Sequence, residues 1–119
     1  MDIESFREYC IEKKGVTEEF PFGPDTLVFK VMGKMFALTG LDNYPFRVNL
    51  KCDPDYAEEL RERYEEVTPG YHMNKKLWNT VVFEPSTIKD PILRKWIDDS
   101  YTLIIASLPK KLKIELESL

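Results

Sequence analysis

The most regular pattern in the chain is the alternation of apolar and polar residues over positions 46–52. Successive side chains of a β-strand point to opposite faces of the sheet, so this segment predicts a strand with one buried face and one basic face. A strand of this kind is typical of an antiparallel sheet that is covered on one side only. The buried set is Phe46, Val48, Leu50 and Cys52, and the outward set is Arg47, Asn49 and Lys51.

Two further strands are predicted at residues 27–32 and 34–39, on either side of Gly33. Their alternation is less clean, because an outward Lys30 also exposes Val28 and Met32, and this ambiguity stays open. Residues 71–83 predict a hairpin that turns near residues 74–76, with residues 78–83 as its second strand. The pattern therefore indicates five antiparallel strands.

Three helices are expected around these strands. The first covers residues 2–14 and ends before Gly15, a natural left-handed cap. Asp53 and Asp90 each precede a proline, which predicts that both side chains cap the start of a helix. The apolar positions of the second helix are Tyr56, Leu60, Tyr64 and Val67, and those of the third are Ile92, Leu93, Trp96, Ile97, Tyr101, Ile104, Ile105 and Leu108.

The remaining segments are a loop and a tail. Residues 20–24 contain two prolines and predict an ordered loop with a buried phenylalanine. Residues 110–119 are expected to add one or two helical turns, or to fray. The fold class is therefore α+β, with a two-layer, five-stranded antiparallel sheet packed by helices in the order α-β-β-β-α-β-β-α.

The length of 119 residues and the hydrophobic content of 43% fit one domain that spans residues 1–119. No apolar run approaches the roughly 20 residues of a membrane-spanning helix. The acidic, amphipathic start of the chain lacks the pattern of a secretory signal, so a cytoplasmic protein without membrane contact is expected. Cys10 and Cys52 stand apart and are expected to be reduced core thiols.

The charge is unevenly distributed along the chain. The net charge is −4, which by itself argues against a polyanionic partner. However, residues 26–52 carry +3, residues 68–83 carry +2, and the remainder of the chain carries −9. The acidic excess lies mainly in residues 2–25 and 53–67. Charge therefore separates between the predicted strands and the predicted helices.

The candidate binding residues lie in the two basic segments. The set Lys30, Lys34, Arg47 and Lys51 forms either an anion-binding sheet face or an ordinary solvated one. Residues 72–79 can contact phosphates, base edges and a base face, or form a polar hairpin that Trp78 anchors to the core. The candidates in that hairpin are His72, Asn74, Lys75, Lys76 and Trp78.

Catalytic and metal sites are not expected. His72 is the only histidine, so a Ser-His-Asp arrangement would have to recruit Ser100 or Ser107 from the third helix. The carboxylates of the first helix lack a second type of ligand and are typical of a solvated face. We therefore expect a binding protein that is not an enzyme and that needs no cofactor or metal.

Several short words, in this order along nearly the whole chain, resemble the YjbR/MmcQ family. The words are Phe22-Gly23, Phe29-Lys30-Val31, Gly33-Lys34-Met35-Phe36, Leu50-Lys51-Cys52, Pro69-Gly70-Tyr71-His72-Met73-Asn74-Lys75-Lys76, Trp78-Asn79 and Asp99-Ser100-Tyr101. The resemblance implies a CyaY-like fold, related in shape to bacterial frataxin and to type III secretion chaperones. It also implies a DNA-binding role, described for the family as a double wing.

Two functions follow as hypotheses. The first is duplex DNA binding by the basic sheet face and the wing-like hairpin, with low sequence specificity. The second is a protein-interaction module with a secretion-chaperone-like fold, whose docking surface the sequence does not locate. These hypotheses differ in their salt dependence, since phosphate-driven binding weakens steeply with salt.

The absence of a histidine or cysteine cluster leads to a prediction about folding. Addition of a chelator to the purified protein should leave the midpoint of thermal unfolding unchanged. Stoichiometric zinc or iron that is lost together with the fold would contradict this expectation.

Overall fold

The computed structural model describes residues 1–119, and it has six strands and four helices. The strands form one antiparallel sheet with the spatial order β1-β2-β3-β4-β6-β5. The elements in chain order are α1 (Ile3–Ile11), β1 (Val16–Glu19), β2 (Thr26–Val31), β3 (Lys34–Gly40), β4 (Phe46–Lys51), α2 (Pro54–Arg63), β5 (Val67–Pro69), β6 (Trp78–Glu84), α3 (Asp90–Ala106) and α4 (Lys110–Glu117). The expected α+β architecture, an antiparallel sheet packed by helices, is confirmed.

The main core lies between one face of the sheet and the helices. At its centre the fully buried ring of Phe6, from α1, makes three edge-to-face contacts with rings of the sheet. The ring centroids lie 5.5 Å away for Phe29, 5.7 Å for Phe46 and 5.6 Å for Phe83. Because these rings come from β2, β4 and β6, a single helical side chain joins three strands.

The alternation of residues 46–52 is borne out at its centre. Val48 and Leu50 are buried in the main core, and Arg47 is exposed on the opposite face. Phe46 packs at the margin of the core and is only partly buried. Full exposure of Asn49 and Lys51 was wrong, because neighbouring strands and the connection over this face leave both residues half-buried.

Ser100 joins α3 to the sheet where β3 and β4 separate. Phe36 is an extra residue in β3, and the paired positions of β3 and β4 are limited to Ala37 with Leu50 and Leu38 with Asn49. The Ser100 hydroxyl donates to the Phe36 carbonyl at 2.6 Å and accepts from the Lys51 amide at 2.9 Å. A fully buried serine thus satisfies two backbone groups that the ladder leaves open.

A second, smaller apolar cluster lies on the face of the sheet that the helices do not cover. Val28, Leu38 and Trp78 form its buried centre, and Trp78 is 8% exposed. Met73 and Leu77 of the β5–β6 connection pack on it, together with Met35. Val28 therefore faces outward with Lys30 without being exposed, which resolves the ambiguity in the second strand.

The sheet has six strands rather than the predicted five. The unpredicted strand is β1, which pairs with β2 along the edge of the sheet. Its two glutamates have low strand propensity, so a pattern of four residues gives little signal. The hairpin was also misplaced, because its first strand is β5 and residues 70–77 are a connection without strand pairing.

Val67 was wrongly assigned to the second helix. That helix ends at Arg63, and Tyr64 is already extended, with φ −123° and ψ 125°. Val67 and Thr68 are β-branched and precede Pro69, which disfavours helical backbone at the residue before it. These residues therefore pair with β6 as a strand.

One of the two predicted helix caps is confirmed. Asp53 accepts a hydrogen bond from the Tyr56 amide at 3.2 Å, as expected for a capping side chain. Asp90 is wrong as a cap, because it is the first helical residue and Lys89 takes the cap position without a side-chain hydrogen bond. The Asp90 carboxylate instead lies 3.1 Å from the amino group of Met1.

Three other boundaries differ from expectation. The first helix ends at Ile11, three residues early, although Gly15 does adopt a left-handed φ of 76°. The loop at residues 20–24 has no buried phenylalanine, since Phe20 is 48% and Phe22 is 64% exposed. Residues 110–117 form a regular helix, α4.

None of the four helices combines the length and the apolar character that a crossing of the bilayer requires.

Replacement of Ser100 by alanine should lower the free energy of unfolding by about 1–3 kcal/mol, because it leaves two buried backbone groups unsatisfied. Denaturant unfolding measures this loss. Ser118→Ala is the matched control, since that hydroxyl is exposed and bonds only within α4. Equal stability of the two variants would show that the Ser100 bridge does not stabilise the fold.

Replacement of Trp78 by alanine should cost about 3–5 kcal/mol, because it empties the centre of the second cluster. Tyr44→Ala provides a control with an aromatic residue that is 85% exposed, and its stability should stay close to that of the wild type. A Trp78→Ala variant as stable as this control would contradict a packing role for the indole.

Candidate functional site

The surface that faces away from the helices is defined here as the open face. Register and alternation place neighbouring residues of four strands side by side on it: Val28 lies beside Leu38, Leu38 beside Asn49, Asn49 beside Thr80, and Lys51 beside Trp78. The open-face residues of β2, β3, β4 and β6 that bear on function are Val28, Lys30, Leu38, Arg47, Asn49, Lys51, Trp78 and Thr80.

The connection between β5 and β6, residues 70–77, is called the wing loop. Met73 and Leu77 hold it against the open face, as described above. On the other side Arg61 of α2 donates to the Asn79 side chain at 2.7 Å and to the backbone carbonyl of Lys75. The wing loop is thus fastened to the sheet and to a helix, although it contains no strand.

Asn74 shapes the tip of the wing loop. Its side-chain oxygen accepts from the Lys76 amide at 3.0 Å, and its carbonyl accepts from the Leu77 and Trp78 amides. These are the bonds of a local turn in which Asn74 is a structural residue. Lys75 and Lys76 project from this turn, are exposed, and form no salt bridge.

The predicted basic set is divided by the structure. The Lys30 ammonium lies 3.2 Å from the Glu19 carboxylate of β1, the strand that the sequence did not predict. A hydrogen bond from Thr17, followed by that from Lys30, lowers the pKa of Glu19. Lys34 bonds to the Ser107 hydroxyl at the end of α3, at 3.2 Å, and therefore lies on the helical side.

Arg47 and Lys51 are the members of this set that stay on the open face without a carboxylate partner. Trp78 does not offer its ring to a ligand, because the second cluster buries it. His72 is exposed in the wing loop, with a left-handed φ of 59°, and its ring centroid lies 4.0 Å from that of Tyr71. The exposed aromatic residue at this site is therefore Tyr71, which is 70% exposed.

A polar groove of about 570 Å³ lies on the open face between the wing loop and the β3–β4 connection. Arg47 is the one charged residue in its lining, and no carboxylate reaches it. The groove is lined by Gly40, Asn43, Arg47, Asn49, Thr68, Pro69, Tyr71 and Thr80. Such a lining offers hydrogen-bond donors beside a single unopposed positive charge.

A short chain of hydrogen bonds orders the floor of the groove. The Thr80 hydroxyl donates to the Asn49 side-chain oxygen and accepts from the Tyr71 amide at 3.0 Å. This bond fixes the orientation of the Asn49 carboxamide and leaves its NH2 group as a donor. Thr68 donates to the Thr80 carbonyl at 3.4 Å.

Seven of the eight groove residues were not predicted as site residues, and the five of these with polar side chains are Asn43, Asn49, Thr68, Tyr71 and Thr80. Asn49 was recognisable as an outward residue of β4, between two cations. Tyr71 directly precedes His72 but was assigned to a strand. Thr68 and Thr80 meet only through the β5–β6 pairing, which the sequence pattern did not reveal.

The two cysteine thiols of the core have raised pKa values, which favour the protonated form. Both cysteines are buried and unpaired with each other. Burial, and to a lesser degree Asp98, raises the pKa of Cys10, whereas burial with Asp53 and Asp99 raises the pKa of Cys52 to about 11. No group of three histidine, cysteine or acidic side chains is close enough to hold a metal ion.

Comparison with known proteins identifies relatives over almost the entire chain. The YjbR family model matches residues 11–103. The uncharacterized protein YbdF of Escherichia coli O157:H7 is 38% identical over 109 residues, which cover 91% of this chain and 88% of YbdF. The uncharacterized protein YjbR of E. coli K12 is 32% identical, with 93% of each chain covered.

Solved structures share the same fold. The crystal structure of the Deinococcus radiodurans protein DR2400 is similar with a TM-score of 0.89 and 37% identity, over 97% of this chain and 87% of DR2400. A Pseudomonas syringae protein is similar with a TM-score of 0.74 and 26% identity, over 87% of this chain and 98% of its own. The family match and these relatives together show that the chain belongs to the YjbR family.

Proposed function

We propose that this protein binds nucleic acid through the open face and the wing loop, chiefly by contacts to phosphates and with little sequence preference. The observation that carries the proposal is the segregation of charge between the two layers. Unpaired cations lie on the open side of the sheet, in β4 and in the wing loop. The acidic excess lies in residues 2–25 and 53–67, and about half of it belongs to α1 and α2 with their capping residues Asp2 and Asp53, which pack on the other side.

Four cations carry the proposed contacts: Arg47, Lys51, Lys75 and Lys76. None of them forms a salt bridge, so none must give up a carboxylate partner before it meets a phosphate. Lys30 contributes less than the sequence suggested, because Glu19 opposes its charge. Lys34 is excluded by its place on the helical side.

The acidic net charge limits the strength of this binding without preventing it. Charges on a protein surface are largely screened beyond about 8 Å at physiological salt, so the local field of the open face dominates at contact. Repulsion by the acidic residues of the helical layer reaches further only at low salt, where screening is weaker, and there it slows approach. The affinity should consequently be modest and should fall steeply as salt increases.

We also propose that the protein is a binding module rather than an enzyme. Two features support this view. The thiols are buried with raised pKa values, and the Ser100 hydroxyl is fully buried and bonded to two backbone groups. The ring of the single histidine, His72, lies tilted by 49° against Tyr71 at the surface and forms no hydrogen bond with a serine, a cysteine or a carboxylate.

A protein-interaction role is the second candidate, and a different surface favours it. The β1–β2 and β3–β4 connections meet at one end of the sheet, where the Leu41 amide donates to the Asp25 carbonyl at 2.7 Å. Phe20, Phe22 and Leu41 are exposed there by 48%, 64% and 40%. Phe20 and Leu41 line one cleft, and exposed apolar residues that lie together are typical of a docking surface.

The double variant Lys75→Glu, Lys76→Glu tests the nucleic-acid proposal. It should weaken binding to duplex DNA by about tenfold or more at low salt, with little dependence on the DNA sequence. The slope of log affinity against log salt should fall by about 2, since two phosphate contacts are lost. Fluorescence anisotropy with a labelled duplex measures both quantities.

Lys110→Glu, Lys111→Glu is the matched control, because it makes the same charge change at two adjacent exposed lysines of α4 in the helical layer. This control variant should change the affinity for duplex DNA and its salt dependence much less. Equal losses in both variants would indicate dependence on net charge alone. No binding by the wild type at low salt would overturn the proposal and leave the docking patch at Phe20 and Leu41 as the better candidate.

A further inference from the structure

We propose that the groove on the open face holds one unpaired nucleotide, with its phosphate at Arg47, its base edge at Asn49 and its base face on Tyr71. This inference rests on the proposed nucleic-acid binding and specifies its ligand as a nucleoside monophosphate unit. It predicts that the protein prefers a single strand to a duplex.

The size of the groove fits a ligand of this class. A volume of about 570 Å³ lies within the roughly 300–1,000 Å³ of sites that enclose small molecules. The lining is polar and contains one cation and no anion, which matches a ligand with one negative group and several hydrogen-bond acceptors. A purely apolar ligand would leave these donors unpaired at a cost in free energy.

Arg47 supplies the recognition of phosphate. A guanidinium presents a planar fork of donors that binds two phosphate oxygens at once. The backbone that carries it is fixed, because the Arg47 carbonyl accepts a hydrogen bond from the buried Thr39 hydroxyl at 2.6 Å. The side chain itself is exposed and has no carboxylate partner, so it is free to turn towards an anion in the groove.

Asn49 supplies contacts to a base edge. Its oxygen is occupied by the Thr80 hydroxyl, so the carboxamide presents its NH2 group to the groove. Ring nitrogens and carbonyl oxygens of bases are acceptors for such a group. In a duplex the acceptors of the Watson–Crick edge are paired, and they become accessible when the base is unpaired.

Tyr71 supplies the surface for stacking. One side of its ring lies against His72, at 4.0 Å between centroids, and the residue is 70% exposed. His72 adopts its left-handed φ of 59° at a cost that residues other than glycine usually avoid. The Thr80 hydroxyl holds the Tyr71 amide, which places the ring at the mouth of the groove.

These three residues act together only on an unpaired nucleotide. The faces of a base within a duplex are covered by its neighbours, so Tyr71 gains no stacking contact there. Lys75 and Lys76, by contrast, contact the backbone of a single strand and of a duplex in the same way. The groove therefore adds a preference for single strands to the general attraction of the wing loop for phosphates.

The test compares binding of a labelled single strand with binding of the same sequence as a duplex, by fluorescence anisotropy at low salt. The wild type should bind the single strand more tightly. Tyr71→Ala should weaken single-strand binding by about 5- to 150-fold, the range found when a stacking aromatic is removed. Arg47→Gln and Asn49→Asp should also weaken it, and because both make the open face less positive they should weaken duplex binding as well. Tyr71→Ala leaves the charge unchanged and should change duplex binding less.

Matched controls distinguish a local effect from a general one. Tyr44→Ala removes another exposed tyrosine, which lines a different cleft, and Arg63→Gln removes an exposed arginine of α2. Both should bind the single strand within about twofold of the wild type, which is well below the loss expected for a stacking residue. Thermal unfolding of every variant verifies that the fold is intact.

A competition experiment distinguishes the two ligands that the groove could take, a free nucleoside monophosphate and a nucleotide within a nucleic-acid chain. Displacement of the single strand by a free nucleoside monophosphate, but not by inorganic phosphate, supports a site that takes the free nucleotide. Binding of the strand that depends on Arg47 and resists this competitor supports a nucleotide within a chain. Displacement by inorganic phosphate at the same concentration would overturn recognition of a base.

The failure of this inference is distinguishable from failure of the proposed function. If Tyr71→Ala and Arg47→Gln bind the single strand as the wild type does, the groove proposal is wrong. A loss of duplex binding in the Lys75, Lys76 variant would then still support the proposed function. If the wild type binds neither form, both proposals are overturned.

Discussion

All the buried packing between helices and sheet occurs on one face, and it is organised around Phe6. Its ring contacts phenylalanines from β2, β4 and β6, so strands that are distant in sequence are joined through one helical side chain. Ser100 makes the corresponding polar link from α3 to β3 and β4. Because the helices gather on this face, the opposite face is left for side chains that a core would exclude.

The open face consequently has a composition that differs along the sheet. Near Trp78 it is apolar and is covered by the wing loop, whereas near Arg47 it is polar and uncovered. The apolar part holds the wing loop in place, and the polar part forms the groove beside it. Because the wing loop packs on the apolar part of the open face, Lys75 and Lys76 lie at its exposed tip and Tyr71 lies at the rim of the groove. Helix α2 reaches the wing loop through the cation Arg61, and no carboxylate of α1 or α2 forms an ion pair with the exposed cations of the open face and the wing loop.

The sequence predicted the elements whose signal is contained within themselves. The alternation of residues 46–52 identified β4 and its buried face, and Asp53 identified the start of α2. The apolar stripe of α3 did the same, because its signal extends over 17 residues. In each case local chemistry and tertiary packing favour the same structure.

The features that the sequence did not predict depend on partners elsewhere in the chain. Strands β1 and β5 have four and three residues and exist through pairing with β2 and β6. The role of Lys30 changed because Glu19 of β1 pairs with it. The groove joins side chains from β3–β4, β4, β5 and the wing loop, so no single segment contains its pattern. The sequence did not decide whether Trp78 contacts a ligand or packs in the core, because the cluster that buries it includes Val28, whose face could not be assigned from alternation.

The most direct test of a ligand-binding open face is an NMR titration of 15N-labelled protein with a short oligonucleotide at low salt. The account predicts that the perturbed amides are those of Arg47, Asn49, Tyr71, Lys75 and their neighbours in β4, β6 and the wing loop. The amides of α1 and α2 should keep their positions. Perturbations concentrated at Phe20, Phe22 and Leu41, or in the helical layer, would contradict the account.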